Sequence, residues 1–221
     1  MNRIPLYASI ALLPVLAYAP LSNAAGERAE PTLKSTPKVE KRSKPFELNE
    51  KMTNFTVPNA LGGSINLDEL LKDGPVVLTF YRGSWCPYCR GELSSIQTRL
   101  DKISKAGGTV LAISPEVPSK TADLAKQKEL GFLFGTDHNN ELAKQLALAF
   151  KLDAKTIKAY RQYGIDLPEA NDTKKWELPI PATYVIDTDH TIRFAFVEPD
   201  YTKRADYDEV VEVLKSLQSD G

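Results

Sequence analysis

Two cysteines and two histidines in 221 residues leave this chain short of the side chains that hold soft metals. A structural zinc site needs four ligands, and His138 and His190 lie far in sequence from Cys86 and Cys89. The scarcity also excludes a disulfide-stapled secreted scaffold, in which cysteines are dense. Charge of one sign is missing too: 28 Lys and Arg against 29 Asp and Glu give a net charge of −1. That balance makes no electrostatic case for nucleic acid or an anionic membrane surface. No glycine-rich phosphate loop, metal-ligand spacing or basic-aromatic array is present. These residues call for neither a metal nor an organic cofactor.

Charge is also absent between Arg3 and Glu27, where Ile4 to Leu21 is apolar apart from Ser9 and the prolines. Ser22-Asn23-Ala24 supplies small residues for a signal-peptidase cut before Ala25. This is a secretory pattern, and it predicts that residues 1–24 are a signal peptide and that the protein is exported, to a bacterial periplasm. An uncleaved anchor facing the same compartment is the alternative, weakened by Pro5, Pro14 and Pro20. Cleavage would remove Arg3 and no acid, taking the net charge from −1 to −2. Residues 25–44 are rich in Lys, Glu, Pro, Ser and Thr, with one Leu and one Val, and read as a flexible linker. Residues 45–221 are then one domain of ordinary size.

What the chain does have is Trp85-Cys86-Pro87-Tyr88-Cys89, which holds both cysteines. The segment lies where an apolar β run ends and a helical pattern starts. Thiols in the first turn of a helix meet unpaired backbone N–H groups and the positive end of the dipole, and both favour thiolate. Cysteines three apart on a helix share one face, within reach of a disulfide. A bridge over so short a loop does little for stability. Pro87 fits the first helical position, where its missing N–H costs nothing. The pair reads as a reversible dithiol/disulfide couple.

Around the pair, the pattern alternates strand and helix. Phe55-Thr56-Val57 is a short strand, and Ile65 to Leu71 a strand end with a helical turn. Val76 to Tyr81 is a continuous apolar run, as expected for a strand buried on both faces. Leu93, Ile96, Leu100 and Ile103 recur at helical spacing until Gly107-Gly108. Thr109 to Ile113 is the next strand, and this strand–helix–strand unit predicts parallel pairing. A polar helix is expected from about Ser119 to Leu130, then a strand at Phe132 to Phe134. A helix marked by Leu142, Leu146, Ala149 and Phe150 comes next. Lys151 to Pro181 reads as irregular and rich in turns. Thr183 to Ile186 and Ile192 to Val197 form a hairpin, and Val210, Val213, Leu214 and Leu217 a closing helix. The expected fold is α/β, a mixed central sheet with helices on both faces.

This order, with a paired thiol at the end of the first long strand, resembles the thioredoxin fold. The run Phe80-Tyr81-Arg82-Gly83-Ser84-Trp85-Cys86-Pro87-Tyr88-Cys89 is similar to that of the peroxiredoxin-like AhpC/TSA family. It also resembles the helix start of exported TlpA/ResA-type thiol–disulfide reductases. The first likeness reaches further, through Ala112-Ile113-Ser114-Pro115, Leu178 to Asp187 and Asp200 to Arg204. It implies a thiol peroxidase that reduces hydrogen peroxide or organic hydroperoxides, with a thioredoxin-like protein as electron donor. The second implies a reductase of protein disulfides. Of the other classes, a redox-insensitive binding module on the same fold makes no use of either thiol.

The two likenesses nominate different nucleophiles. Laid on the peroxiredoxin pattern PxxxTxxC, Arg82 falls at the Pro, Cys86 at the Thr and Cys89 at the peroxidatic Cys, with Glu92-Leu93 on the following acidic-apolar pair. The late arginine of that family would fall at Pro181, which instead resembles the cis-proline beside a thioredoxin dithiol. In the thioredoxin register Cys86, at the exposed helix tip, attacks and Cys89 resolves; access and the dipole favour this assignment. Arg82 is a candidate replacement cation or a solvated strand-end residue, and Trp85 packs beside the thiols. Tyr88 is a candidate tuner of redox potential or simple filler. His138 and His190 read as exposed turn residues. Asp200, Tyr201 and Arg204 read as loop closure and a helix cap.

Overall fold

A computed structural model describes residues 42–219. The expected signal segment 1–24 and most of the expected linker 25–44 lie outside them. Arg42, near the linker's end, is already tied to the domain: its N–H donates to the Gln145 carbonyl at 3.1 Å, and its guanidinium pairs with Glu50 at 2.8 Å.

In chain order the elements begin with strands β1 (Thr56–Pro58) and β2 (Ser64–Asn66), helix α1 (Leu67–Leu71), strand β3 (Val76–Phe80) and helix α2 (Pro87–Lys105). Strand β4 (Thr109–Ser114), helix α3 (Pro118–Gln127) and strand β5 (Leu133–Thr136) follow. A 3-10 turn at His138–Asn140 leads into helix α4 (Glu141–Gln145) and strand β6 (Ala149–Lys151). Helices α5 (Ala154–Gln162) and α6 (Leu167–Ala170) precede strand β7 (Glu177–Pro179). Strands β8 (Ala182–Ile186) and β9 (Ile192–Val197) and helix α7 (Tyr207–Ser219) close the chain.

Five strands form one sheet in the order β5-β4-β3-β8-β9. Strand β3 runs parallel to β4, with Val76 opposite Thr109 and Phe80 opposite Ile113, as the crossover unit predicts. On its other side β3 is antiparallel to β8, with Val76 opposite Ile186. Strand β3 is the sheet's centre because all five of its residues are buried and none is charged. Its alternation sorts the core. Val77 faces Leu93, Ile96 and Ile103 of α2, Leu124 of α3 and Val210, Val211 and Leu214 of α7. Val76, Leu78 and Phe80 face Leu67 and Leu71 of α1, Leu142 of α4 and Leu146 just after it. Helices therefore cover both faces, in agreement with the expected α/β architecture.

Two expectations are corrected between Leu146 and Pro181. Ala149 and Phe150 do not extend helix α4 but begin β6, which pairs antiparallel with β7. The helix stops because Ala147 takes a positive φ of 57° and the Leu148 N–H returns to the Ala143 carbonyl at 2.7 Å. The segment read as irregular holds α5 and α6. Asp153 caps the first by accepting the Thr156 N–H at 2.7 Å, and Asp166 caps the second by accepting the Glu169 N–H. Together they build a small third core from Leu152, Leu167 and Leu178, with Ile157, Tyr160 and Trp85 packed against it.

Leu78 is fully buried on the β3 face turned toward α1 and α4. Leu78→Ala is expected to lower stability by about 2–5 kcal/mol, the range for leucine truncation in a packed core. Urea unfolding of the reduced protein checks this.

Candidate active site

The strand-to-helix junction is held in one shape before any sulfur is considered. Gly83 has φ of +146°, and a Cβ there would come within 2.4 Å of the Trp85 indole nitrogen. Only glycine takes that backbone with so close a neighbour. Next to it the buried Glu116 carboxylate accepts the Ser84 N–H at 2.7 Å and the Ser84 hydroxyl at 2.8 Å. Burial raises Glu116 above the usual carboxylate range, and the Ser84 donors oppose that rise. Cys86 then caps α2 with extended backbone, Pro87 takes the first turn, and the Cys86 carbonyl accepts the Arg90 N–H at 3.1 Å.

The sequence expectation of an exposed Cys86 is corrected. Both sulfur-bearing side chains are 0% exposed. Trp85, Tyr160 of α5 and Tyr201 from the loop before α7 gather around the Arg82 guanidinium that meets the Cys86 sulfur. The Trp85 and Tyr160 rings meet edge to face with centroids 5.6 Å apart. Trp85 packs as expected, bridging the main core and the small third core. Tyr88, by contrast, points outward, with its ring 5.7 Å from that of Tyr201.

Arg82 is no solvated strand-end residue. It is 4% exposed, and one guanidinium nitrogen donates to the Cys86 sulfur at 3.2 Å while another donates to the Tyr160 hydroxyl oxygen at 2.8 Å. The same group stacks 3.9 Å from the Tyr201 ring centre and 5.2 Å from that of Trp85. Its partners are a sulfur, a phenol and two aromatic faces, with no carboxylate among them. Cys86 is correspondingly lowered to about 5. The hydrogen bond from the Cys89 thiol contributes most, and Arg82 adds to it against the opposing cost of burial. Cys89 moves the other way, well above the ordinary thiol value, because it donates that bond and is itself buried. One thiolate and one thiol thus sit side by side.

Cys89 has its own guanidinium, which sequence reasoning missed. Arg204 donates to the Cys89 sulfur at 3.5 Å and lies 2.7 Å from the Glu92 carboxylate. Glu92 is 5% exposed, and burial raises it to about 7 despite the opposing effect of Arg204. Tyr207 donates to Glu92 at 3.1 Å, and Thr183 and Thr79 extend the chain of hydroxyls into the sheet at 3.2 Å each. Arg204 is thus shared with a carboxylate and Arg82 is not, which adds to the difference that the Cys86–Cys89 hydrogen bond and burial already make. Nothing local in the sequence marks Arg204, since its sulfur partner is 115 residues away.

The remaining sequence candidates are Pro181 and the two histidines. Pro181 is buried at the entry to β8, and its carbonyl accepts the Glu198 N–H at 3.3 Å. No peptide bond among the described residues is cis, which corrects the cis-proline expectation; Ile180 and Glu198 tie extended backbone on both sides. His138 is exposed, and His190 is half-buried with Nδ1 3.0 Å from the Met52 carbonyl oxygen. Among the described residues no cluster of His, Cys, Asp or Glu could hold a metal, and no helix is long and apolar enough to cross a membrane.

A mixed five-stranded sheet between helical layers, with paired thiols on the helix after its central strand, defines a thioredoxin-like protein. The AhpC/TSA family model matches residues 48–195, and the chain belongs to that family. It is 25% identical over 104 residues to peroxiredoxin Bcp of Escherichia coli strain K12, an alignment spanning 47% of this chain and 66% of that one. It is 26% identical over 165 residues to chloroplastic peroxiredoxin Q of Gentiana triflora, covering 75% of this chain and 64% of the relative. Each alignment thus falls just short of two thirds of the relative. Among solved structures, peroxidoxin BcpB of Mycobacterium tuberculosis superposes with a TM-score of 0.60 at 20% identity, over 77% of this chain and 97% of that one. Peroxiredoxin 6 of Arenicola marina gives 0.63 at 17% identity, over 78% and 74%. Arg204 lies beyond the residues that the family model matches.

The ionisation of Cys86 has a checkable sign. A thiol lowered to about 5 is already thiolate at neutral pH. Alkylation of Cys86 by iodoacetamide in the reduced wild type, followed by peptide mass spectrometry, is expected to be flat above neutrality and to fall as pH drops through about 5. A thiol at its ordinary value near 8.5 would instead keep gaining rate into alkaline solution.

Proposed function

We propose that the protein is a thiol peroxidase in which Cys86 attacks and Cys89 resolves. The observation that carries this reading is the Arg82 guanidinium 3.2 Å from the Cys86 sulfur, with the Cys89 thiol protonated beside it. The Cys86 thiolate attacks the terminal oxygen of a hydroperoxide, breaking the O–O bond. The sulfur becomes a sulfenic acid, and the departing alkoxide or hydroxide takes a proton. Cys89, one helical turn along, displaces hydroxide from that sulfur, giving the Cys86–Cys89 disulfide and water. A thioredoxin-like dithiol then returns both sulfurs to the reduced state.

A cleft of ≈ 820 Å³ beside the site favours an organic hydroperoxide over hydrogen peroxide alone. Tyr88, Phe150, Tyr163 and Tyr201 are four of the six exposed large apolar side chains among the described residues, and all four line it. Apolar patches gathered at one site mark binding surfaces. The competing reading, a TlpA/ResA-like reductase of protein disulfides, uses the same dithiol.

Stopped-flow oxidation of the reduced wild type, Cys86→Ser and Cys89→Ser separates these. Under the proposal, wild type and Cys89→Ser consume an aryl hydroperoxide at least about a hundredfold faster than free cysteine, the minimum expected of positioned, charge-stabilised catalysis. Cys86→Ser does not. A rate no better than free cysteine in all three, with a mixed disulfide trapped on Cys86 in Cys89→Ser, would establish the reductase instead.

Export through residues 1–24 is part of the same proposal, resting on the uncharged run from Ile4 to Asn23 and the small residues before Ala25. N-terminal sequencing of protein recovered from the periplasm is expected to begin at Ala25. A first residue of Met1 on membrane-bound material would favour the anchor.

A further inference from the structure

Two contacts to Arg82 come from outside the strand–helix–strand unit that carries the thiols, the Tyr201 ring face and a hydrogen bond from Arg82 to Tyr160. Tyr160 lies in the last turn of α5, a helix without a fully buried residue. This helix leans on the domain through Ile157 and Tyr160, which pack against the small third core. At that one point it reaches the site, where the Tyr160 oxygen accepts a guanidinium N–H from Arg82 at 2.8 Å.

Arg82 is thereby held at two corners of one plane. One terminal nitrogen is on the Tyr160 oxygen and the other on the Cys86 sulfur. Because the guanidinium is rigid and planar, fixing one corner fixes where the other points. Its other neighbours cannot do this. The Tyr201 and Trp85 faces attract the cation but leave it free to turn over the rings. The Arg82 Nε is buried without a hydrogen-bond partner, so it supplies no second anchor. The ring of Tyr160 acts separately from its hydroxyl. It meets the Trp85 ring edge to face, and both rings line the cleft while neither cysteine does.

We propose that Tyr160 is a positioning residue with two separable effects: its hydroxyl holds the Arg82 fork against the Cys86 sulfur, and its ring closes the thiol off from the cleft. Helix α5 is then a cap that sets both the ionisation and the access of Cys86. The inference rests on the proposed role of Cys86 as the attacking sulfur. Its test uses no peroxide, so its failure and that of the peroxidase reading are told apart.

The measurement is the thiolate absorbance of Cys86 against pH, with the iodoacetamide rate corrected for thiolate fraction. It is made on reduced Cys89→Ser and on that protein carrying Tyr160→Phe or Tyr160→Ala. Tyr160→Phe keeps the ring and loses the oxygen. It is expected to raise the Cys86 midpoint by about half a unit or more, roughly a threefold change in the ionisation constant. Its corrected alkylation rate should stay near that of the parent. Tyr160→Ala loses both and is expected to show the same rise together with a severalfold faster corrected rate. Thermal unfolding of each variant verifies that it is folded, and the Phe variant carries the test if the Ala variant is not. An unchanged midpoint in Tyr160→Phe overturns the positioning role. An unchanged corrected rate in a folded Tyr160→Ala overturns the cap.

Discussion

A guanidinium removed from water needs a countercharge or a dense set of acceptors, because desolvation of an ion costs several kcal/mol. Arg82 is nearly fully buried and has no carboxylate, only a phenol oxygen, two ring faces and the Cys86 sulfur. The natural countercharge for it is the thiolate. Arginine and sulfur therefore stabilise each other's ionised form, and the surrounding structure serves to keep them together. Gly83 lets the chain turn tightly past Trp85, Glu116 holds Ser84, and the capped start of α2 presents the sulfur. Arginine rather than lysine suits the place, since only a planar fork can touch phenol and sulfur at once while stacked between rings.

The second sulfur shows the same chemistry with the balance reversed. Arg204 meets Cys89 only after giving much of its charge to Glu92, which Tyr207 and two threonines tie to the sheet. Cys89 keeps its proton chiefly because it donates a hydrogen bond to Cys86 and is buried, and Arg204 opposes this only weakly. The two sulfurs are thus told apart by that shared hydrogen bond and by Arg82 on Cys86. From sequence, the helix dipole and access favoured Cys86, while the peroxiredoxin register favoured Cys89.

Legibility followed the range of the signal. The strand Val76–Phe80, the helix after the thiols and the parallel return at Thr109–Ser114 were readable because period and length fix them locally. The α5–α6 segment was not, because its apolar residues are few and its helices short. Yet Asp153 three residues before Thr156, and Asp166 just before Leu167-Pro168, are capping signals that careful reading could have used. Arg82 was visible as a candidate without its role, Arg204 was read only as loop closure or a helix cap, and Tyr160 was not singled out. Their meaning lies in contacts 78 and 115 residues away, where no local pattern reaches. The exposed thiol expected at the helix tip is in fact buried.

Chain order adds something to the Arg204 contact. Both sulfurs emerge from the ribosome well before Tyr160, and Tyr201 and Arg204 come only in the last stretch before α7. Domains generally fold as units, and native packing here waits on α7, whose Val210, Val211 and Leu214 complete the core under the thiol helix. A growing chain therefore carries two accessible thiols without their shared environment, and that environment closes around them only once α7 has been made. Loss of α7 would leave the dithiol motif whole in sequence yet strip the core beneath the thiol helix. For this fold, α7 is as much a part of the thiol site as the motif itself.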